Sequence, residues 1–339
     1  MTSNNPNKFQ TVLVTGGGGY VGSALVPDLL KKGYRVKVVD LFWYGLDVFA
    51  DCNQHPQLER IQLDIRDSAR LKQALKGVDA VIHLACISND PSFELDPALG
   101  KSVNYDAFAG LLQGSVDQGV RRFIYASSSS IYGVKETPDV REDAEPLPLT
   151  DYSRFKLDCE RDLLAHPDLK GMDAVIVRPS TVCGYAPRLR LDLSVNILTI
   201  NALVHHKIRI FGGKQLRPNL HIKDMVQAYH IFLEAPGAKI HREAFNVGFQ
   251  NRSIEDIAKL VQTTLADPTI ELEYTPSNDN RSYHVNSDKV KRVLGFEAKF
   301  TIEDAIQGIA DAWHRGLIKD PFNNPFYSNI KRMQELKVK

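Results

Sequence analysis

Short apolar, β-branched runs alternate with helix-period segments through the first half of the chain. That alternation predicts βαβ units and a parallel sheet. The first run, Thr11 to Thr15, reads as a buried strand. Beyond a glycine-rich stretch, Val21, Leu25 and Leu29 share one helix face, with Gly33 placed to end the helix. Pro27 interrupts that segment and predicts a kink. Further strands are expected at Arg35 to Val39, ending in Asp40, and at Gln57 to Leu63, Asp79 to Leu84, Arg122 to Ser127 and Asp173 to Val177. Helices fit at 67–76, 98–118 and 152–165, the last capped by Thr150 or Asp151. From about Ser180 the alternation weakens into longer loops with mixed signals, as a smaller second unit would give. No low-complexity linker separates the halves, so they are expected to pack together around a cleft.

Composition narrows the class of protein. A chain of 339 residues suggests about two units at ~100–200 residues each. With 43% hydrophobic and 24% charged residues it reads as a soluble globular protein. Its 42 basic and 41 acidic residues leave a net charge of +1, too little to hold nucleic acid or an anionic membrane, so phosphate recognition must be local. No run approaches the roughly 20 apolar residues of a membrane span. Met1 to Gln10 lacks the apolar core of a secretion signal and reads as a disordered arm. The four cysteines form no CxxC pair, which points away from a zinc knuckle or disulfide framework and toward a reducing cytoplasm. His205, His206, His221 and His230 lack metal-ligand spacing, and no metal is expected.

The sharpest local signal is Thr15 to Ser23, TGGGGYVGS. Gly16, Gly19 and Gly22 follow a strand and open a helix, the setting in which glycines allow close approach of a pyrophosphate to free helix N–H groups. Gly16, Gly19, Tyr20, Val21 and Gly22 are therefore candidate dinucleotide contacts. Asp40, 18 residues after Gly22, stands where a carboxylate accepts hydrogen bonds from a ribose 2′-hydroxyl and repels a 2′-phosphate, favouring NAD over NADP. Tyr152 and Lys156 lie one helical turn apart, so the ammonium can favour ionisation of the phenol. The same spacing recurs at Tyr327 and Lys331, after a loop-like stretch near the C-terminus, and is read as coincidence.

Gly16-x-x-Gly19-x-x-Gly22, Asp40, His83-Leu84-Ala85, Asn104, Ser127 to Gly133, Tyr152-x-x-x-Lys156 and Arg178-Pro179 occur in this order. Together they resemble the extended short-chain dehydrogenase/reductases, and within them the nucleotide-sugar epimerase/dehydratase family, from about Thr11 to Gly316. The resemblance implies a Rossmann-type doubly wound parallel sheet with a smaller mixed α/β substrate domain. The NAD domain would cover 1–180 and regain the chain within 218–250, and 181–339 would mainly bind substrate. Tyr152 would be the base, Lys156 its partner and a ribose ligand, and Ser128 the hydroxyl on the reacting sugar oxygen. Asp64 and Ile65 would lie near the adenine, Leu84 and Ala85 along the cofactor, and Pro179 and Thr181 near the nicotinamide. Ser129, Asn196, Arg188, Arg190, Arg217 and Arg281 are the implied substrate contacts, the arginines serving a diphosphate. A homodimer through a four-helix bundle is also implied.

One departure limits the chemistry. Relatives that dehydrate or decarboxylate the sugar carry carboxylic acids just after the hydroxyl residue, where this chain has Ser129 and Ser130. A serine supplies no acid or base near pH 7, which leaves hydride transfer at a carbinol carbon. The expected activity is an NAD-dependent nucleotide-sugar 4-epimerase. A 4-dehydrogenase or 4-ketoreductase with net redox, and a non-catalytic NAD-binding regulator, are the alternatives.

Overall fold

The computed structural model describes residues 9–135, 137, 139–277, 282 and 284–337. Most of the expected N-terminal arm, and Arg281, therefore lie outside the described residues. The chain opens with β1 (Thr11–Thr15), α1 (Tyr20–Lys31), β2 (Arg35–Asp40), β3 (Leu58–Gln62), α2 (Ser68–Ala74) and β4 (Ala80–His83). It continues through α3 (Asp90–Leu95), α4 (Pro97–Lys101), α5 (Ala107–Asp117), β5 (Arg122–Ala126), α6 (Asp151–Ala165) and β6 (Asp173–Pro179). Beyond these come β7 (Thr181–Cys183), α7 (Ser194–His205), β8 (Lys207–Phe211), β9 (Leu216–His221) and α8 (Ile222–Glu234). The chain ends with β10 (Glu243–Val247), β11 (Gln250–Ser253), α9 (Ile254–Leu265), β12 (Glu271–Thr275), α10 (Asp288–Leu294), α11 (Ile302–His314) and α12 (Asn329–Leu336).

Seven parallel strands form one sheet in the order β3-β2-β1-β4-β5-β6-β10. Every residue of β1, β4 and β5 is buried, because helices cover both faces. On one face Leu25, Leu29, Met225 and Phe232 of α1 and α8 pack on Val12, Val36 and Ile124. On the other, Leu71, Phe108, Leu111, Cys159 and Leu163 of α2, α5 and α6 cover Leu13, Val81 and Phe123. The pattern of the first half thus becomes a three-layer α/β sandwich, with β10 added as an edge strand late in the chain. β7, β9 and β11 make a small mixed sheet, and β8 pairs with β12. A separate core there joins Val195, Ile208, Ile257 and Ile306. Among the described residues no helix is long and apolar enough to cross a membrane.

Two local expectations are refined. α1 runs through Pro27 from Tyr20 to Lys31, and Gly33, at φ +88°, ends it where the sequence placed a stop. The helix expected over 98–118 is interrupted by a π turn at Ser102–Asp106. Within that turn the buried Asn104 accepts the Ile87 N–H at 2.8 Å and donates to the Ile87 carbonyl at 2.9 Å, so the turn grips the loop after β4.

Candidate active site

Strand order reverses between β1 and β4, and a cavity of about 370 Å³ opens there, at the carboxyl ends of the strands. The glycine turn after β1 forms one wall. Gly16 has φ +70°, and a Cβ on it would lie 2.6 Å from the backbone of Ala85, so the turn and the chain after β4 are in contact. A Cβ on Gly22 would sit 2.3 Å from the Gly17 carbonyl oxygen, because α1 starts directly against the turn. Gly19 differs. Its Cβ would meet only the Gly16 oxygen, at 3.2 Å, and the residue faces the cavity. No side chain caps α1 at Gly19. An open cradle at a helix N-terminus fits a phosphate, and side-chain-free Gly19 leaves room for it.

Gly16, Gly19, Tyr20, Val21, Gly22, Asp40, Asp64, Ile65, Leu84, Ala85, Pro179 and Thr181 all line this cavity, as do Ser128, Ser129, Tyr152, Lys156, Arg188 and Arg190. The Tyr20 hydroxyl donates to the Gly184 carbonyl at 2.6 Å, tying the cradle to the loop after β7. Asp40 ends β2 with one carboxylate oxygen accepting the Gly18 N–H at 2.8 Å and the other the Phe42 N–H at 2.6 Å. Burial pushes its carboxyl above the usual range, and these amides with the Arg188 charge pull it back. Hydrogen bonds from the Arg66 guanidinium hold Asp64 below that range, in a two-pronged pair.

At the other end, the chain leaves β5 at Ala126 and turns into a short 3-10 segment, Ser129–Tyr132, capped by the Ser128 hydroxyl, which accepts the Ser130 N–H at 3.1 Å. Tyr152 stands in the first turn of α6, which Thr150 and Ser153 start with a reciprocal capping box. Its phenol and the Ser128 hydroxyl line the same cavity. One turn on, the buried Lys156 ammonium donates to the Ala126 carbonyl at 2.7 Å and lies 5.9 Å from the centre of the Tyr152 ring. Burial raises the phenol well above its ordinary value, with Cys86 and Asp90 adding to the rise and Arg190 and Ser128 opposing it. Arg190 and Lys156 are thus both cations on the cavity wall that holds the phenol.

Behind these groups lies a buried polar frame. Arg178 on β6 grips Glu160 of α6, with Nη2 at 2.6 Å and Nε at 3.0 and 3.2 Å from the carboxylate oxygens. It also donates to the Tyr132 hydroxyl at 2.7 Å, and Tyr132 donates to Asn246 of β10 at 2.8 Å. The frame fixes the Ser128 turn against the helix bearing Tyr152.

The implied substrate contacts separate into three groups. Arg190 pairs two-pronged with Asp192 at 2.8 and 2.9 Å and donates to Ser88 at 3.1 Å, on the cavity wall. Asn196 does not reach the cavity. Its amide donates to the Arg190 carbonyl at 2.9 Å and accepts the Gly184 N–H at 2.9 Å, so it positions the loop that carries the arginines. Arg217 lies on β9 opposite Arg252, away from the cavity lining, and donates to its neighbour's carbonyl. Arg281 is outside the described residues.

The C-terminal segment contributes what the sequence did not signal. Asn329 and Met333 of α12 line the cavity. Asn329 accepts from the Tyr44 hydroxyl at 2.8 Å and from Arg188 at 2.5 Å, and donates to Ser88 at 2.9 Å, joining three loops. The nearby Tyr327 hydroxyl instead accepts the Lys319 N–H, and the Lys331 ammonium donates to the Phe322 carbonyl, so that second Tyr-x-x-x-Lys is a packing motif. No local pattern marks Asn329, whose partners all lie far away in sequence.

Residues 12–248 match the model of the NAD dependent epimerase/dehydratase family. A 176-residue stretch, 52% of this chain, is 38% identical to the "Uncharacterized protein y4nG" of Sinorhizobium fredii and spans 42% of that protein. The UDP-glucose 4-epimerase of Lactobacillus helveticus is 27% identical over 331 residues, covering 90% of this chain and 97% of that one. The UDP-glucuronic acid 4-epimerase of Bacillus cereus, solved with UDP-glucuronic acid and NAD, superposes with a TM-score of 0.81 at 25% identity, over 90% of this chain and 99% of that one. With a Rossmann-type sheet, a glycine cradle and a family model spanning most of its length, the chain belongs to the NAD dependent epimerase/dehydratase family and is an enzyme that uses NAD.

Proposed function

We propose that this enzyme is a nucleotide-sugar 4-epimerase that works through a transient 4-keto sugar. The supporting observation is the Ser128, Tyr152 and Lys156 cluster in a cavity whose only lining carboxylates, among the described residues, are Asp40, at the end of β2, and Asp64, after β3. Ser129 and Ser130 follow Ser128, so the two positions where dehydrating relatives carry carboxylic acids hold none here. When bound, NAD accepts a hydride from a carbinol carbon and returns it. Tyr152 takes the C4 hydroxyl proton while Ser128 hydrogen-bonds the oxygen. The Arg190 charge opposes the burial that disfavours the phenolate, and Lys156 stands one helical turn away. Once the ketone presents its other face, Tyr152 returns the proton to the same oxygen and the C4 configuration is inverted.

Retention of the cofactor distinguishes epimerisation from net dehydrogenation. Asn329 and Met333 place α12 on the cavity wall, where it adds contacts that would slow release of a bound cofactor. The full-length similarity to UDP-glucose 4-epimerase points the same way. The reading extends to a homodimer in which α5 and α6 pair with their copies as a four-helix bundle. Light scattering at twice the 38.0 kDa chain mass supports that pairing, and a single chain mass refutes it.

The test is incubation of purified enzyme with UDP-, GDP-, dTDP- and CDP-sugars while NADH absorbance and product identity are followed. A C4 epimer formed without added NAD supports the epimerase. Accumulated NADH with a free 4-keto sugar makes it a dehydrogenase. Tyr152→Phe abolishes turnover and leaves NAD binding in place.

A further inference from the structure

Arg188 is a cation without an anion. It follows β7, is 1% exposed, and lines the cavity. Its guanidinium lies 3.6 Å from the centre of the Tyr44 ring, and one terminal nitrogen donates to the Asn329 side-chain oxygen at 2.5 Å. Its Nε has no hydrogen-bond partner. Among the described residues no carboxylate is paired with it, since Asp192 is engaged by both prongs of Arg190. Burial pulls Arg188 down to about 10, so it remains charged at neutral pH. A buried, unpaired charge is costly, and a site retains one where a ligand brings the opposite charge.

The surroundings identify that ligand. The Arg188 N–H donates to the Ser23 hydroxyl at 3.1 Å, in the first turn of the helix that the glycine cradle opens. Tyr44, on which it stacks, follows Asp40, and the charge of Arg188 acts on Asp40. The cradle itself offers backbone amides but no cation, and Leu41, Phe42, Trp43 and Tyr44 supply none. The charge acting on the Tyr152 phenol, by contrast, is that of Arg190. We infer that Arg188 binds the diphosphate of NAD, held in position by the Tyr44 ring and the Asn329 amide, and is not a substrate contact. The second half of the chain thus supplies the positive charge for a cofactor bound on the first half. A guanidinium fork suits phosphate oxygens, and the stack fixes its plane before the ligand arrives.

This assignment rests on the family's use of NAD but not on the epimerase reading. Calorimetric titration of the wild type, Arg188→Met and Arg188→Lys with NAD, ADP and UDP tests it. ADP carries the cofactor's diphosphate and UDP carries that of the proposed substrate. The expected result is NAD and ADP binding weakened roughly 10- to 100-fold in Arg188→Met, the loss of a charged hydrogen bond, with UDP binding unchanged. Arg188→Lys keeps the charge but loses the fork, and falls between. The ligand-free melting temperature of Arg188→Met stays level or rises, since an unpaired buried charge has gone. Unchanged ADP affinity, or UDP weakened as much as ADP, overturns the assignment. If Arg188→Met does not fold, the same ADP-to-UDP comparison in Arg188→Lys decides. A wild type that binds ADP through Arg188 yet converts no nucleotide sugar refutes the epimerase reading and leaves Arg188 in place.

Discussion

Replacing Glu160 by leucine strands the Arg178 guanidinium in the core. The two side chains are 2% and 7% exposed and meet at 2.6 Å, so water cannot take the carboxylate's place. Burial works against the charged form of Arg178, and the Glu160 carboxylate more than compensates, holding its pKa above the ordinary value. Removing one partner of such a pair costs about 3–5 kcal/mol, whereas replacing both with apolar groups of similar size costs far less. For 339 residues at about 2.1 cal/mol/K each, the unfolding entropy is roughly 0.7 kcal/mol/K, and the melting temperature falls by about 4–7 °C. Calorimetry of Glu160→Leu, Arg178→Met and the double variant measures this directly. The double variant recovers most of the loss. Because the pair also holds the Ser128 turn against α6, kcat falls in Glu160→Leu even at temperatures where it is fully folded. A loss of under ~1 kcal/mol, the worth of an exposed pair, would refute the reasoning, as would a double variant that loses the sum of both singles.

The three glycines of the turn predict different failures. Gly22→Ala forces a Cβ to 2.3 Å from the Gly17 oxygen and destabilises the ligand-free protein by about 1–3 kcal/mol, seen as a lower urea midpoint. Gly19→Ala, with one contact at 3.2 Å, keeps that midpoint but weakens NAD, and a midpoint that falls as far as in Gly22→Ala would show the cradle is not open. Acid stability gives a further test. His83 is buried, with its Nδ1 2.7 Å from the Thr15 hydroxyl, and burial lowers its pKa to about 3. Its folded value lies below the unfolded one of ~6.5, so the unfolded chain binds the extra proton between pH 6.5 and 3. Stability is full above pH 6.5 and falls as pH drops, by about 2 kcal/mol at pH 5 from this residue. Urea unfolding at pH 7.5 and 5 measures it. His83→Phe gives a shallower acid slope, and an unchanged slope would assign the proton elsewhere. His221, lowered to about 4, contributes alike in both proteins.

The parts readable from sequence are those encoded within one strand-turn-helix unit. TVLVT followed by glycines fixes a buried strand, a turn and a helix N-terminus, and Tyr152 with Lys156 needs only one helical turn. Those residues meet at the cavity because a parallel sheet brings all its strand ends to the same edge. Residues whose work depends on distant partners were not readable. Asn196 carries an amide suited to a ligand, yet both its ends are bound by the loop at 184–190. Arg188 was visible as a cation near the ligand, but its partners Tyr44 and Asn329 come from opposite ends of the chain. The π turn at Asn104 likewise follows from a tertiary hold on Ile87, which helix periodicity does not encode.

The central claim is that hydride leaves and returns to C4 inside one closed site. It is tested most directly with the nucleotide sugar that turns over, deuterated at C4 and incubated without added NAD. The account predicts the C4 epimer with deuterium retained at C4 and no accumulation of NADH. An epimer that has lost the label to solvent, or a 4-keto sugar released with NADH, would contradict it.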